Sequence, residues 1–284
     1  MSRALYLAQG AAAGFFFGTG SIFVRYMPYL DAFTIAFARV SIAGVLLVVA
    51  GLLVHRSGFV RQAMKNFSQL PLLGLLLGLH FVFFTLAVKS TSVVNAATLV
   101  NTTPAITLAL GWALHLVKPS RTNIFGLGLT LAGASSMALG ELSFSPHQIS
   151  GDLFALAGAL AWAVYLVAGK RVREASEVMA AAGPIYLWSA AATGLTALML
   201  GGIGRPRAEE VYPLIGLAVF PTVLGHSLQF SSLKKLHPYE ASALALLEPV
   251  VATLLAAAVL NEVVEPGFYV SAAIIIVGIY LVTR

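Results

Sequence analysis

The side chains able to do chemistry sit in unusual company. Arg39, His80, Asn95, Asn101, His226, Gln229 and Glu248 each interrupt a long apolar run. Insertion scales put an Arg or Asp in such a run at about 2.5–3.5 kcal/mol, so each polar group needs a partner or a purpose. Arg39 offers a bidentate fork to a carboxylate. Its long stem also lets it snorkel outward or bond backbone carbonyls, and that structural role is the better reading. Glu248 directly precedes Pro249, whose missing N–H frees the carbonyl of Ala245 and kinks the chain. A carboxyl there can gate or exchange a proton. Alternatively it is a neutral group tied to a neighbouring helix, which one isolated acid, a poor relay, favours. Pro104 supplies a second kink in the same style.

Other chemistries fail on spacing. Gly225-His226-Ser227 places a base beside a hydroxyl, but neighbours on a helix point about 100° apart, and no G-x-S-x-G elbow is present. His80 and His226 have no companion metal ligands, and the absence of cysteine removes thiolate sites and disulfides. No G-x-x-x-x-G-K-[ST] phosphate loop occurs, which disfavours ATP drive. No cofactor or metal is expected.

The elements that must position these residues are set by composition. Of 284 residues, 59% are hydrophobic and 10% charged, against about 45–50% and 25% in soluble domains. Ten apolar segments emerge: Leu5–Val24, Ala32–Val54, Leu70–Val88, Val93–Leu116, Ile124–Leu142, Leu153–Gly169, Val178–Leu200, Val211–Phe230, Tyr239–Leu260 and Phe268–Val282. Each approaches the roughly 20 residues that cross a bilayer core of about 30 Å. The chain reads as an all-α membrane protein of ten transmembrane helices, its first segment retained rather than cleaved. Alternating the loops collects Arg3, Arg56, Arg61, Lys65, Lys118, Arg121, Lys170, Arg171, Arg173, Lys234, Lys235 and Arg284 on one side, against Arg25, Lys89, Arg205 and Arg207 on the other. The positive-inside rule therefore places both termini in the cytoplasm. Basic residues so scattered make no nucleic-acid face.

Shifting the chain by 145 residues lays the first five segments on the last five. Arg25 falls on Lys170, Lys89 on Lys234, Ala96 on Ala241, Pro104 on Pro249, Gly133 on Gly278 and Phe17 on Trp162. Two halves, 1–145 and 146–284, each with an odd number of spans, must insert in opposite orientations, which is a transporter architecture. Gly10, Gly14 and Gly18 form a small-residue stripe matched by Ala155, Ala159 and Ala163, suited to a sliding interface or to static packing alike.

At about 1.5 Å per residue, His80, Asn101, Trp162 and Glu248 all fall near mid-bilayer depth on four different helices. Helical spacing adds Phe84 to His80, Tyr165 to Trp162, and Gln229 to His226. A cavity lined this way suits a small amphiphile with an apolar or aromatic body. Lipid-facing or packing roles for the aromatics remain the alternative.

Two five-span halves, Leu247-Glu248-Pro249 and Leu260-Asn261-Glu262 together resemble the ten-helix EamA type of the drug/metabolite transporter superfamily, over essentially the whole chain. The first half departs from that pattern, with Thr103-Pro104 and Val117-Lys118 at the corresponding places. Within the family, His80 and Trp162 are similar to YddG-type amino acid exporters. The resemblance implies a bacterial inner-membrane protein that exports small metabolites; a monomer is expected. Aromatic and apolar amino acids come first as substrates, carried by alternating access, facilitated or proton-coupled. A cation or multidrug exporter is the nearest rival, and a membrane scaffold or intramembrane enzyme a more distant one.

Overall fold

The computed structural model describes residues 2–55, 57–138, 146–260, 264 and 266–284; among them there is helix and no strand. In chain order the elements are α1 (Arg3–Phe17), α2 (Gly20–Arg25), α3 (Ala32–His55), α4 (Ser57–Lys65), α5 (Leu70–Ser90), α6 (Val93–Val100), α7 (Thr103–Ala113) and α8 (Arg121–Ala138). There follow α9 (Pro146–Ala175), α10 (Val178–Leu200), α11 (Ala208–Leu217), a π-helical segment (Ala218–His226), α12 (Ser227–Ser232), α13 (Pro238–Leu244), α14 (Leu247–Leu260) and α15 (Pro266–Thr283). Among the described residues, eight helical stretches are long and apolar enough to cross a membrane. The run Val93–Leu116 is instead divided between α6 and α7, and α8 is described only to Ala138. Asn261-Glu262 and the junction at 145 lie outside the described residues.

Three spans break beside a proline, and proline chemistry explains where. Proline i leaves the carbonyl of residue i−4 without its helical donor, a group that lipid cannot satisfy. At Pro104 the freed Val100 carbonyl accepts from Thr103 Oγ1 at 2.6 Å. At Pro221 the Leu217 carbonyl accepts from Thr222 Oγ1 at 2.7 Å. At Pro249 the Ala245 carbonyl accepts the backbone N–H of Glu248 at 2.8 Å. The unsatisfied acceptor expected at Ala245 is thus absent, because the tightened turn between α13 and α14 supplies its donor. A fourth break, at Gly18-Thr19, divides the first span without any proline.

The 145-residue offset recurs in contacts. Arg25 Nη2 donates to the Thr91 carbonyl at 3.5 Å, and Lys170 Nζ to the Leu236 carbonyl at 3.2 Å. Both are cations near the C-terminal end of a helix, where carbonyls lack partners, and the two donors, like the two acceptors, are 145 residues apart. α8 and α15 pack antiparallel through small residues. A Cβ on Gly126 would lie 2.9 Å from the Gly278 carbonyl, and one on Gly133 2.9 Å from the Ser271 carbonyl. Exchanging each residue for its mate turns the first contact into the second. The Gly10, Gly14 and Gly18 stripe abuts the α13–α14 break: added Cβ atoms would meet Leu244, Leu247 and Val251.

The element sequence reading lacks is α4. Its Phe59 is buried over Gly51 of α3, where a Cβ would strike the ring. Helix α9 overruns its apolar run at both ends, since polar residues there still favour helix, as in the Lys170–Glu174 pair at 2.9 Å. Arg3 pairs with Glu240 at the start of α13, and Asn123 donates to the Val282 carbonyl at 2.9 Å. The start of α1 and the end of α15 therefore share one end of the bundle, called here the basic end.

Candidate functional site

A cavity lined by buried residues lies where α1, α2, α3, α5, α6, α9, α14 and the π-helical segment meet. Phe17, Arg39, His80, Phe84, Trp162, His226 and Glu248 line it, with Gly20, Val100 and Pro221. Its rings form one continuous cluster. The His80 ring lies 4.8 Å from Trp162 and 5.7 Å from His226; Phe17 lies 5.5 Å from Trp162 and 4.6 Å from His226. His80 Nδ1 is 3.0 Å from the Gly158 carbonyl. A carbonyl only accepts, so Nδ1 carries the hydrogen and Nε2 remains an acceptor.

The π-helical segment sets Arg39 in place. The Thr222 hydroxyl spends its hydrogen on Leu217, so its oxygen is free to accept from Arg39 Nε at 3.0 Å. The guanidinium carbon sits 4.1 Å over the Phe81 ring, a cation–π contact. Arg39 is 2% exposed and does not snorkel. Its structural partners are Thr222 and Phe81 rather than freed carbonyls. Glu248, which lines the same cavity, accepts through Oε2 from Asn101 Nδ2 at 3.3 Å, and the same amide donates to the Ala97 carbonyl at 2.7 Å. The carboxyl is therefore tied to a neighbouring helix, as one sequence reading required.

Of the residues singled out by sequence, His80, Phe84, Trp162, His226, Glu248 and Arg39 line the cavity, and Asn101 backs it through Glu248. Tyr165 and Gln229 do not. Tyr165 packs against Phe230 with centroids 6.0 Å apart, and Gln229 Nε2 donates to the Ala241 carbonyl at 3.3 Å. A three-residue step rotates a side chain about 60° off the face and moves it about 4.5 Å along the axis, enough to leave this cavity. Pro104 and Pro249 sit at the breaks. Phe17 and Thr222 were missed as site residues. The 145-residue offset pairs Phe17 with Trp162 and could have nominated it, whereas one threonine in an apolar run carries no comparable signal.

A water-sized sphere finds only ≈ 20 Å³ in this cavity, against ≈ 170 Å³ in a second pocket at the basic end, between α7, α9 and α13. The first holds a water or two and no organic solute. Thr107 lines the second pocket and bonds Ser242 at 3.1 Å, joining α7 to α13 between the two spaces.

Broken helices meeting at a buried polar cavity define a membrane transporter class. A sequence profile of the EamA-like transporter family matches the chain over residues 4–139 and again over 149–284. The chain belongs to that family. It is 28% identical over 277 residues to an uncharacterized transporter of Archaeoglobus fulgidus, covering 92% of this chain and 91% of that one. It is 26% identical over 214 residues, 71% of each chain, to a Salmonella typhimurium protein named a probable amino-acid metabolite efflux pump. A solved crystal structure superposes with a TM-score of 0.82 at 21% identity, over 99% of this chain and 96% of that one, and so shares its fold. The protein is a multi-pass plasma-membrane transporter, not an enzyme.

Proposed function

We propose that this transporter exports amino acids with apolar or aromatic side chains, acting as a monomer of ten spans with both termini in the cytoplasm. The halves 1–145 and 146–284 form inverted repeats that rock about the central cavity. The observation that carries the reading is the cavity's composition: clustered rings with one guanidinium and one carboxyl, where broken helices of both halves meet. An apolar amino acid has complementary parts, a hydrophobic body with one charge of each sign. The small volume of the cavity fits a closed state that must open to load. The kinks before Pro104 and Pro249 supply hinges, and the Thr107–Ser242 contact closes the cytoplasmic side. With one acid and no relay the flux runs downhill.

The test is efflux of labelled leucine and phenylalanine from liposomes containing the purified protein, with and without a pH gradient. Saturable, mutually competed efflux that ignores the gradient and is lost in Trp162→Ala supports the reading. Folded protein with no flux above empty liposomes sinks it. Glu248 alone would suit a cation exporter, but Arg39 in the same cavity opposes an unaccompanied cation.

A further inference from the structure

Sequence reading favoured a structural role for Arg39, and part of its hydrogen-bonding capacity is indeed spent that way. Nε is held by Thr222, and one face of the guanidinium is covered by Phe81. What remains is an edge: Nη1 is buried and has no hydrogen-bond partner. No carboxylate among the described residues lies within 4 Å of this cation, whose position is fixed from two sides. A buried, immobilised guanidinium with an idle N–H edge is a preformed carboxylate receptor. Trp162 Nε1, an obligate donor across the same cavity, is also buried and unpartnered.

A second set of atoms has the opposite chemistry. Both hydrogens of the Asn101 amide have acceptors at hand, Ala97 O and Glu248 Oε2, while its Oδ1 is buried with no donor. Beside it stands the Glu248 carboxyl. Acceptors without donors complement an ammonium group, which offers three N–H and accepts nothing. His226 Nδ1 is likewise unpartnered, and His80 Nε2 is an acceptor; both lie in the ring cluster.

We infer that the cavity is polarised for a zwitterion: Arg39 Nη1 and Trp162 Nε1 receive the α-carboxylate, Glu248, held by Asn101, receives the α-ammonium, and the rings of Phe17, His80 and Phe84 take the side chain. The inference rests on the amino-acid reading and assigns which residues hold which charge. It also gives the π-helical segment a task. Thr222, by filling the carbonyl that Pro221 frees, becomes the acceptor that aims Arg39 from the opposite half of the chain.

The experiment measures inhibition of labelled leucine efflux by three probes: leucine, leucinamide, which lacks the carboxylate, and 4-methylpentanoate, which lacks the ammonium. In the wild type leucine inhibits best. Each lost charged contact weakens a probe by about tenfold to a hundredfold. Arg39→Gln raises the leucine KM by about the same factor and erases the preference for leucine over leucinamide, leaving the preference over 4-methylpentanoate. Glu248→Gln does the reverse. Trp162→Phe, which keeps a ring and removes only the indole N–H, narrows the leucine-to-leucinamide ratio and guards against misfolding of the Arg39 variant. Persistent leucine flux with that ratio unchanged in both Arg39→Gln and Trp162→Phe overturns the assignment. So does collapse of the 4-methylpentanoate preference in Arg39→Gln, which would mean reversed polarity. Absence of saturable leucine flux in the wild type instead removes the amino-acid reading itself.

Discussion

Thr222→Val isolates the device that aims Arg39. Valine nearly preserves the shape of threonine and deletes one hydroxyl, so packing is disturbed little while two bonds vanish together. The Leu217 carbonyl loses its side-chain donor and keeps the i−5 backbone N–H of the π-helical turn, while Arg39 Nε loses its acceptor. A buried donor left without a partner costs about 1–3 kcal/mol, and an interhelical bond in a membrane is worth about 0.6 kcal/mol on average and up to about 1.7. The loss should total about 1–3 kcal/mol. Reversible unfolding in mixed detergent micelles reads the stability, with Thr222→Ser, which keeps the hydroxyl, as the control within about 1 kcal/mol of wild type. In liposomes the leucine KM should rise for valine and not for serine. If Thr222→Val matches Thr222→Ser within about 0.5 kcal/mol and its KM is unchanged, the hydroxyl neither seals the bulge nor positions the guanidinium.

Further predictions separate packing, latching and hinging. Gly278→Ala puts a Cβ 2.3 Å from Thr130 Oγ1 and 2.6 Å from its backbone nitrogen, and should cost about 1–3 kcal/mol by overpacking. Gly128→Ala, on the facing helix with open space around the new methyl, should be neutral or gain up to about 1 kcal/mol in the same unfolding assay. Glu210 accepts from the Tyr29 and Leu30 amides through Oε1 and from the Arg207 amide through Oε2, all at 3.0 Å, while the Arg207 guanidinium covers the Tyr29 ring. Glu210→Gln weakens these charge-assisted bonds, so amide exchange at Tyr29 and Leu30 should accelerate by about tenfold or more; unchanged exchange would mean the latch is idle. Pro249→Ala restores an N–H that competes with Glu248 for the Ala245 carbonyl, straightens the α13–α14 break and should lower turnover. Wild-type turnover would remove the hinge.

Sequence carried the architecture further than the site. Apolar runs located the helices because bilayer thickness dictates their length, and Val178–Leu200 coincides with α10 at both ends. The breaks at Pro104 and Pro249 were legible because each proline removes a helical N–H, although Pro184 inside α10 leaves that helix unbroken. The break at Gly18-Thr19 and the extra residue per turn through Ala218–His226 were not, since hydropathy does not distinguish i−4 from i−5 bonding. Equal depth brought His80, Trp162 and Glu248 together correctly. It could not tell which way Tyr165 and Gln229 turn, because azimuth depends on how helices pack. Helix α4 escaped because Phe59 alone anchors it among polar neighbours. The partners that hold Arg39 escaped for a related reason. Thr222 and Phe81 come from two other helices, and a threonine is invisible until a proline beside it gives its hydroxyl something to do.

The central claim is that amino acids bind in the cavity beside Trp162. The other two tryptophans, Trp112 and Trp188, are 66% and 39% exposed, away from the cavity, so Trp112→Phe with Trp188→Phe leaves Trp162 as the sole indole reporter. Titrating that protein with leucine should produce a saturable change in tryptophan emission, reversed on dilution and absent in an otherwise identical Arg39→Gln protein. Emission that stays constant through concentrations at which the same protein transports leucine would place the substrate site elsewhere and contradict the account.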